Sequence, residues 1–425
     1  MRRNNNIKPM VSVKKYSHFL LVLAGIIVSV LSCISPFEPD YKGAENGLLV
    51  VDGSLIKGYE MQVINISRSS SISEPVYQPE ADCHVKIMDE SGNEFLFTEE
   101  SPGKYIARIE DELLIYNTGY KLVFSTSSGD KYESGYQKLL KTAPVDSIYR
   151  FEENSYNPDS VKYTRGLQFY VDLDAPDDAS KYYRWQIEET WEVRASLKIF
   201  GVYDGKVIEL DTRGWPSDSL YYCWDTRMVT GIYTFTTNNL SHNILKKVPL
   251  HFKPYYSGDL TIKYCATVKQ FALNEDAYYY WHQKEIELNE SGQIYTTQPD
   301  QVKSNVSNIN NPDEKVLGFF WASSCTRKHA FEENPFVRNP IGPSSCSSYE
   351  ICTDQSEEEL INLLYHLIGS VRHFPEPPVY ITVWINLNGD LCAALSKDGC
   401  IDCRVMGGTN HKPDYWGWHI SDSDW

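Results

Sequence analysis

Short apolar runs separated by turn-forming residues fill the chain between residues 47 and 144. The longest covers residues 48–56, while Lys104 to Arg108 alternates apolar and polar residues as a half-buried strand does. Clusters of Gly, Pro, Ser, Asn and Asp lie between the runs, which recur about every ten residues. Short strands at this spacing predict an immunoglobulin-like β-sandwich over residues 47–144.

The chain from residue 145 to residue 425 is also rich in strand patterns, with helices among them. Residues 181–193 form a long aromatic run, and residues 260–271 form a second long run. Asn274 is a predicted N-cap, and Ser356 opens a capping box before a leucine-rich helical face. The sequence therefore predicts a mainly β protein. The N-terminal sandwich is followed by a larger β-rich domain with a few helices and disulfide-bridged C-terminal loops.

Residues 1–32 have the pattern of a secretory signal peptide. Positive charges come first, then an apolar run over residues 19–31, then Ser32 directly before Cys33. The apolar run is shorter than the roughly 20 residues that cross a bilayer as a helix. A small residue before a cysteine resembles a bacterial lipoprotein signal, in which cleavage precedes the cysteine and its sulfur carries a diacylglycerol. We therefore predict lipidation at Cys33 and a tether over residues 33–46. An ordinary cleaved signal or an uncleaved anchor is the alternative.

The chain carries 57 acidic and 40 basic residues, a formal net charge of -17 at pH 7. Phosphate binding needs clustered Lys and Arg, so this balance argues against nucleic acid as a partner. It equally disfavours a polybasic membrane patch, which leaves the lipid at Cys33 as the predicted membrane attachment.

The ten cysteines point to disulfide bonds, since such bonds persist in oxidising compartments. Cys223 and Cys265 are candidates for a bond across neighbouring strands, and Cys83 is then the one predicted to be free and buried. The disulfide candidates are Cys223, Cys265, Cys325, Cys346, Cys352, Cys392, Cys400 and Cys403. The alternative is a zinc site built from Cys392, Cys400, Cys403 and His411. The exported setting favours disulfides, and no metal or other cofactor is expected.

No catalytic residue is predicted. The sequence has no G-x-S-x-G elbow, H-E-x-x-H helix, Walker loop or G-x-G-x-x-G loop. A carboxylate pair for glycoside hydrolysis stays open, because the separation that matters is spatial. Tyr183, Trp185 and Trp191 share one strand face, which is either a sugar-stacking platform or, the interpretation we favour, a buried face. Residues 407–410 either bind an anion through backbone amides or form a tight turn.

Several segments stand in an order that resembles one known family. They are residues 49–53, Tyr280-Trp281, residues 294–299, residues 312–323 with Gly318-Phe319-Phe320-Trp321, and residues 400–404 and 407–416. The family is a group of Bacteroidota lipoproteins filed as domain of unknown function four-two-four-nine, and the resemblance covers nearly all of the mature chain. Genes of this family commonly lie beside those of TonB-dependent outer-membrane receptors that import glycans and peptides. The family has no established catalytic residues to carry over.

The resemblance implies a non-enzymatic accessory lipoprotein, anchored by lipid at the outer membrane and exposed at the cell surface. Its expected partner is a TonB-dependent β-barrel receptor, for which it captures a glycan or peptide ligand or forms a lid. A structural or adhesive envelope lipoprotein is the alternative. A surface hydrolase with an unrecognised acidic site is the third hypothesis.

Overall fold

The computed structural model describes residues 47–71, 75–157, 162–196, 201–203, 207–209, 220–290, 303–333, 349–368, 379–385, 388–395 and 398–417. Cys33, the predicted signal peptide and the tether lie outside these ranges. The described residues of Leu48–Ser69 and Tyr77–Trp425 belong to one compact unit. Their secondary structure is mainly β, as predicted.

Strands coincide with four of the predicted runs, residues 48–56, 104–108, 181–193 and 260–271. The long strand over Val316–Glu333 was not predicted, and few helices interrupt the strands. The strands are β1 (Leu49–Lys57), β2 (Met61–Arg68), β3 (Gln78–Pro79), β4 (His84–Asp89), β5 (Glu94–Leu96), β6 (Thr98–Ser101), β7 (Lys104–Arg108), β8 (Gly119–Ser125), β9 (Lys131–Ser134), β10 (Gln137–Lys138), β11 (Ser147–Asn157), β12 (Lys162–Asp174), β13 (Tyr182–Arg194), β14 (Gly201–Tyr203), β15 (Val207–Glu209), β16 (Tyr222–Met228), β17 (Tyr233–Thr236), β18 (Ile244–Pro254), β19 (Lys263–Leu273), β20 (Val306–Asn308), β21 (Val316–Glu333), β22 (Tyr349–Thr353), β23 (Val379–Ile385) and β24 (Leu391–Leu395). The α-helices are α1 (Glu275–Glu290), α2 (Glu357–Ile368) and α3 (Asp398–Ile401).

These strands form four sheets in the described part of the chain. The largest is ten-stranded, in the order β16-β13-β19-β21-β1-β2-β7-β6, with β17 beside β13 and β3 beside β2. A six-stranded sheet has the order β20-β9-β8-β4-β5 with β10 beside β8, and a three-stranded sheet has the order β11-β12-β18. A five-stranded sheet, β15-β14-β23-β24-β22, is formed mostly by strands from the C-terminal part of the chain.

One face of the ten-stranded sheet, its inner face, packs against the six-stranded sheet. Val51, Ile64 and Phe320 project from it and meet Leu122 and Phe124 in a single apolar core. This pair of layers is a β-sandwich, but residues 47–144 do not build it alone, because β20 and β21 also contribute to its core. Its apolar side chains leave water together, which is the main favourable term in folding.

The same inner face also packs against the three-stranded sheet, further along β21. Trp185 and Val268 meet Leu167 and Leu250 in this second core, and Ala330 of β21 packs at its border. Phe320 and Ala330 are an even number of residues apart on β21, so both cores lie on one side of the ten-stranded sheet. The opposite, outer face carries helix α1.

Strand β21 joins the two halves of the ten-stranded sheet. Its first part, from Val316 to Ser324, pairs with β1 in parallel, and its second part, from Cys325, pairs with β19 antiparallel. The predicted domain boundary between residues 144 and 145 stays a prediction. The ten-stranded sheet contains strands from both sides of this boundary, joined by hydrogen bonds through β21.

Both predicted helices begin where their capping residues place them. The Ala277 amide donates to Asn274 Oδ1 at 2.9 Å at the start of α1. The Glu359 amide donates to Ser356 Oγ at 3.3 Å at the start of α2, ahead of the buried Leu360. Among the described helices, none combines the length and the apolar character that crossing a membrane requires.

The predicted bond between Cys223 and Cys265 is wrong. Cys223 pairs with Cys403 instead, and Cys265 is a buried free thiol. The reason is strand order, because β13 lies between β16 and β19 and keeps the two cysteines two strands apart. Two strand spacings are about 9.5 Å, which exceeds the roughly 7 Å that a disulfide can span between Cα atoms.

The other cysteines divide between bonded and free. Cys352 pairs with Cys392, and Cys400 is also disulfide-bonded. Cys83 is free and buried as predicted, whereas the candidate Cys325 is a half-buried free thiol whose cross-strand neighbour is a phenylalanine.

Cys346 and the alternative zinc site complete the predicted cysteine chemistry. Cys346 lies outside the described residues. The zinc alternative loses its thiolates, because Cys392, Cys400 and Cys403 are all oxidised in disulfides.

Gly318 pairs with Val51 in the parallel ladder between β1 and β21. Its φ is +92°, and a Cβ there would lie 1.8 Å from the Val51 carbonyl oxygen. Gly129 has a φ of +93° with nothing within 4 Å of an added Cβ.

We expect Gly129→Ala to cost about 1–2 kcal/mol of unfolding free energy through backbone strain alone. Gly318→Ala should cost at least about 4 kcal/mol, because β1 must move away from β21. Urea unfolding of both variants measures the difference, and equal losses would contradict a role for close strand approach.

Candidate functional site

Strand β13 carries large aromatic side chains on its inner face. Tyr183 and Trp185 are fully buried and Trp191 is 9% exposed, all within the core shared with the three-stranded sheet. The Trp185 indole N–H donates to Gln270 Oε1 at 2.9 Å. These rings are core residues, as favoured. The hypothesis of a sugar-stacking platform is wrong, because the rings are packed against the opposite sheet.

Arg184 lies between those rings in sequence and therefore projects to the outer face of β13, beneath helix α1. Only 5% of its surface is exposed. Its Cζ lies 3.5 Å from the ring centroid of Trp281 on α1 and 5.3 Å from that of Trp321 on β21. A guanidinium stacks favourably on indole because the cation faces the negative π surface. The two tryptophans hold it at the junction of helix and sheet.

The charge of Arg184 is not neutralised by the part of the chain that the structure describes. It makes no ion pair there, and its Nε is buried without a hydrogen-bond partner. The Trp281 Nε1 is likewise buried with no partner among the described residues. Unpaired buried donors are rare in folded proteins, because each retains the free-energy cost of losing its water. Two of them at one place indicate a site for an acceptor that the described residues do not supply.

The surroundings of Arg184 are aromatic, with one acidic residue. Burial lowers the pKa of Arg184 to about 9, and the negative charge of Asp52 offsets part of this effect. Asp52 is exposed on β1 and lies opposite Phe319 of β21. Phe319 stacks with Tyr280 of α1, with 4.7 Å between the ring centroids. We call this set the Arg184 site: Asp52, Arg184, Tyr280, Trp281, Phe319 and Trp321.

A second charged cluster lies at the inner face of β13, around Glu189. Its carboxylate accepts hydrogen bonds from Tyr264 Oη at 2.7 Å, His251 Nε2 at 2.8 Å and Arg227 Nε at 3.0 Å. Lys253 Nζ lies 3.0 Å away and is shared with Asp259. Every charge in this cluster therefore has a partner, and the cluster ties β18 of the three-stranded sheet to the ten-stranded sheet.

The protonation of Glu189 follows from these contacts. Burial alone would raise its pKa, but the hydrogen bonds from His251 and Tyr264 and the neighbouring positive charges outweigh burial and hold it well below the usual range. A general acid needs a pKa near the working pH. The Glu189 cluster is therefore structural, and it does not supply the acid of a glycoside hydrolase.

The free thiols are also unsuited to nucleophilic chemistry. Burial raises the pKa of Cys265 to about 11, and burial likewise raises the pKa values of Cys83 and Cys325. The reactive form of cysteine is the thiolate. At neutral pH these residues are therefore protonated thiols.

Residues 407–410 form a turn rather than an anion site. The Thr409 amide donates to the Trp224 carbonyl and the Trp224 amide donates to the Thr409 carbonyl, both at 2.8 Å. The Gly407 amide donates to the Arg404 carbonyl at 3.0 Å. The amides of Gly407 and Thr409 are thus engaged within the chain, which favours the tight turn over an anion site.

Residues 34–329 match the protein family described as Domain of unknown function (DUF4249). The matched segment is well over half of the 425-residue chain. The chain belongs to this family. A search of the curated proteins found no match to it.

The DUF4249 match contains every residue of the Arg184 site and of the Glu189 cluster. It ends within β21, so the disulfide-bonded Cys352, Cys392 and Cys403 follow the matched segment. No local sequence pattern marked Arg184 or Asp52 as a site residue. Alternation along β13 was a signal that Arg184 faces away from the core. Local sequence pattern did not predict that helix α1 covers this same face.

Replacing Arg184 by methionine tests whether the positive charge of Arg184 contributes to the stability of the fold. We expect Arg184→Met to leave the free energy of unfolding at pH 7 unchanged or to raise it by about 1–2 kcal/mol, because an unpaired buried charge is costly. The control is Arg194→Met, which removes a cation that pairs with Glu192 at 2.6 Å and should destabilise the fold. Urea unfolding compares them. A loss of several kcal/mol in Arg184→Met would make Arg184 a structural residue.

Glu189→Gln should destabilise the fold by about 3–5 kcal/mol at pH 7, because buried cations lose their counter-charge. The folded-state pKa of Glu189 is lowered, so its contribution is present above the unfolded pKa of about 4.3 and is lost as pH falls. The difference between wild type and variant should therefore shrink from pH 6 toward pH 3. Glu188→Gln, which breaks a partly exposed pair with Lys269, is the control and should cost about 1 kcal/mol or less. A difference that is constant across this pH range would contradict the assignment.

Proposed function

We propose that the protein is a lipid-anchored outer-membrane subunit that captures a ligand for a TonB-dependent uptake receptor. The single observation that carries the capture role is Arg184, a buried cation between two tryptophans with no ion-pair partner in the described chain. A ligand carboxylate would take the hydrogen bonds that Arg184 and the Trp281 indole N–H now lack. Arginine suits this task, because its planar fork matches a carboxylate.

Capture fits the chemistry of the described residues better than turnover does. Glu189 is held ionised by four basic or hydroxyl partners, and the free thiols are protonated. Arg184, in contrast, is desolvated before any ligand arrives. A binding group that is already fixed in position loses little conformational entropy when a ligand binds, and this favours tight capture.

The anchoring part of the proposal rests on the sequence. The pattern over residues 1–32 and the cysteine that follows support lipidation at Cys33 and export. The disulfides Cys223–Cys403 and Cys352–Cys392 fit an oxidising compartment. A tether over residues 33–46 would keep the binding unit close to a membrane receptor, which raises its effective concentration there.

A pull-down from native membranes tests the proposal. C-terminally tagged wild type, Cys33→Ala and Arg184→Met are extracted in mild detergent, and their partners are identified by mass spectrometry. We expect wild type to recover a TonB-dependent barrel in near-equal amount, and Cys33→Ala to leave the membrane fraction. Arg184→Met should still recover the barrel, because the site binds ligand and not receptor.

Two results would contradict the proposal. Wild type recovered without any barrel would exclude the accessory role and favour the structural or adhesive alternative. Cys33→Ala retained in the membrane fraction would exclude the lipid anchor.

A further inference from the structure

Strand β11 forms one edge of the three-stranded sheet, and in the described chain no strand lies along its free side. It pairs with β12 over its full length, Ser147–Asn157, without a bulge. None of residues 147–156 is buried, and Phe151 is 48% exposed. The free side of such a strand presents unpaired backbone N–H and C=O groups, which are a template for pairing with another strand.

Proteins usually protect a strand edge with proline, lysine or a bulge. The other edge of the same sheet, β18, has all three of these features. Pro249 lies within it, Lys246 and Lys247 are exposed on it, and its register with β12 shifts twice. Strand β11 contains no proline and no lysine, and its register with β12 is continuous. This unprotected edge indicates that another strand adds to β11.

The charged side chains of β11 retain exposed surface for a second partner. The Arg150 side chain is 42% exposed beside its ion-pair partner Glu332, and the Glu152 side chain is 55% exposed beside Arg165. Arg150 and Glu152 are two residues apart and therefore lie on one face of β11. A strand that adds to this edge meets both charges with their side chains already oriented.

These charges restrict how a second copy of the same strand can pair with β11. Residues opposite each other in an antiparallel pair lie on the same face, so a two-fold axis of the pair passes through a residue position. An axis at Arg150 would place two guanidinium groups opposite each other. An axis at Glu152 or at Glu153 would oppose two carboxylates, and like charges directly opposite are destabilising.

An axis at Phe151 is free of such conflicts. It places Arg150 opposite Glu152 of the second copy, and by symmetry this pair forms twice. It also brings the two Phe151 rings together at the axis. Residues 147–155 then pair, whereas the other axes free of like-charge pairs lie nearer the ends of β11 and pair fewer residues.

We infer that two copies of this chain associate through β11, as an antiparallel pair whose two-fold axis passes through Phe151, so that their three-stranded sheets become one continuous sheet. Backbone hydrogen bonds satisfy the free edge, and the two pairs of Arg150 with Glu152 fix the register. Neither the Arg184 site nor the lipid at Cys33 takes part, so the association goes beyond the proposed function.

Disulfide cross-linking of the full-length protein in native membranes tests the pairing. Phe151→Cys should form a disulfide-linked dimer on mild oxidation, because residues opposite each other in an antiparallel pair have Cα atoms about 4.5–5.5 Å apart. Tyr149→Cys, on the same face, is the matched control, since in this register its two copies are about 14 Å apart. It should stay monomeric, as should wild type. A Phe151→Cys protein that stays monomeric, or that cross-links no better than Tyr149→Cys, would overturn the inference.

Charge reversal tests the register by sedimentation equilibrium of the purified full-length protein in detergent. Arg150→Glu and Glu152→Arg each oppose like charges in the self-pair, and we expect each to weaken self-association at least about tenfold. An equimolar mixture of the two variants restores opposite charges at both positions and should associate as wild type does. Arg108→Glu, at an exposed pair with Glu60, is the control and should change nothing.

Thermal unfolding of each variant verifies that the fold is intact. A mixture that associates no better than the single variants would overturn the register, and wild type that is monomeric throughout would overturn the association itself. Phe151→Cys linked to a different protein would assign the edge to that protein and contradict the pairing of two copies. None of these results bears on the capture function, which the membrane pull-down tests separately.

Discussion

The close parallel contact between β1 and β21 is the constraint on which the rest of the architecture depends. Residues 49–57 and residues 316–324 pair over nine consecutive positions, from Leu49↔Val316 to Lys57↔Ser324. Gly318 permits the approach, because any Cβ would collide with the Val51 carbonyl. The same strand then pairs with β19, so both apolar cores are built on one continuous sheet. Without β21, the outer face would lose both Trp321 and Phe319.

Strand β13 carries two buried charged side chains, one with ion-pair partners and one without. Glu189 on its inner face is surrounded by Tyr264, His251, Arg227 and Lys253, and its charge is compensated. Arg184, five residues earlier on the outer face, has aromatic partners only. The paired charges around Glu189 join the three-stranded sheet to the ten-stranded sheet. Arg184 has no ion-pair partner in the described chain, so its burial lowers the stability of the fold, and a role in stability does not explain its presence. This contrast is why the Arg184 site, and not the denser Glu189 cluster, is the functional candidate.

The C-terminal part of the chain is attached by covalent bonds as well as by packing. Cys403 is bonded to Cys223 on β16, and Tyr415 stacks on His329 of β21 with 4.1 Å between the ring centroids. Both C-terminal residues follow the segment that matches the family. A disulfide between residues so distant in sequence removes many conformations from the unfolded chain. The described segment around Cys403 and Tyr415 is thereby fixed to the sheet that carries the Arg184 site.

The sequence by itself determined the features that depend on near neighbours. Apolar patterning located several strands but not β21, Asn274 and Ser356 located two helix starts, and the shared parity of Tyr183, Trp185 and Trp191 identified a buried face. Only the tertiary structure decided which distant elements meet. Strand order gave Cys223 the partner Cys403 in place of Cys265, and parallel pairing brought Asp52 beside Phe319. The position of α1 enclosed Arg184. The physical reason is that local conformation is set by a few adjacent side chains, whereas strand neighbours are chosen by the packing of whole sheets, which no local pattern encodes.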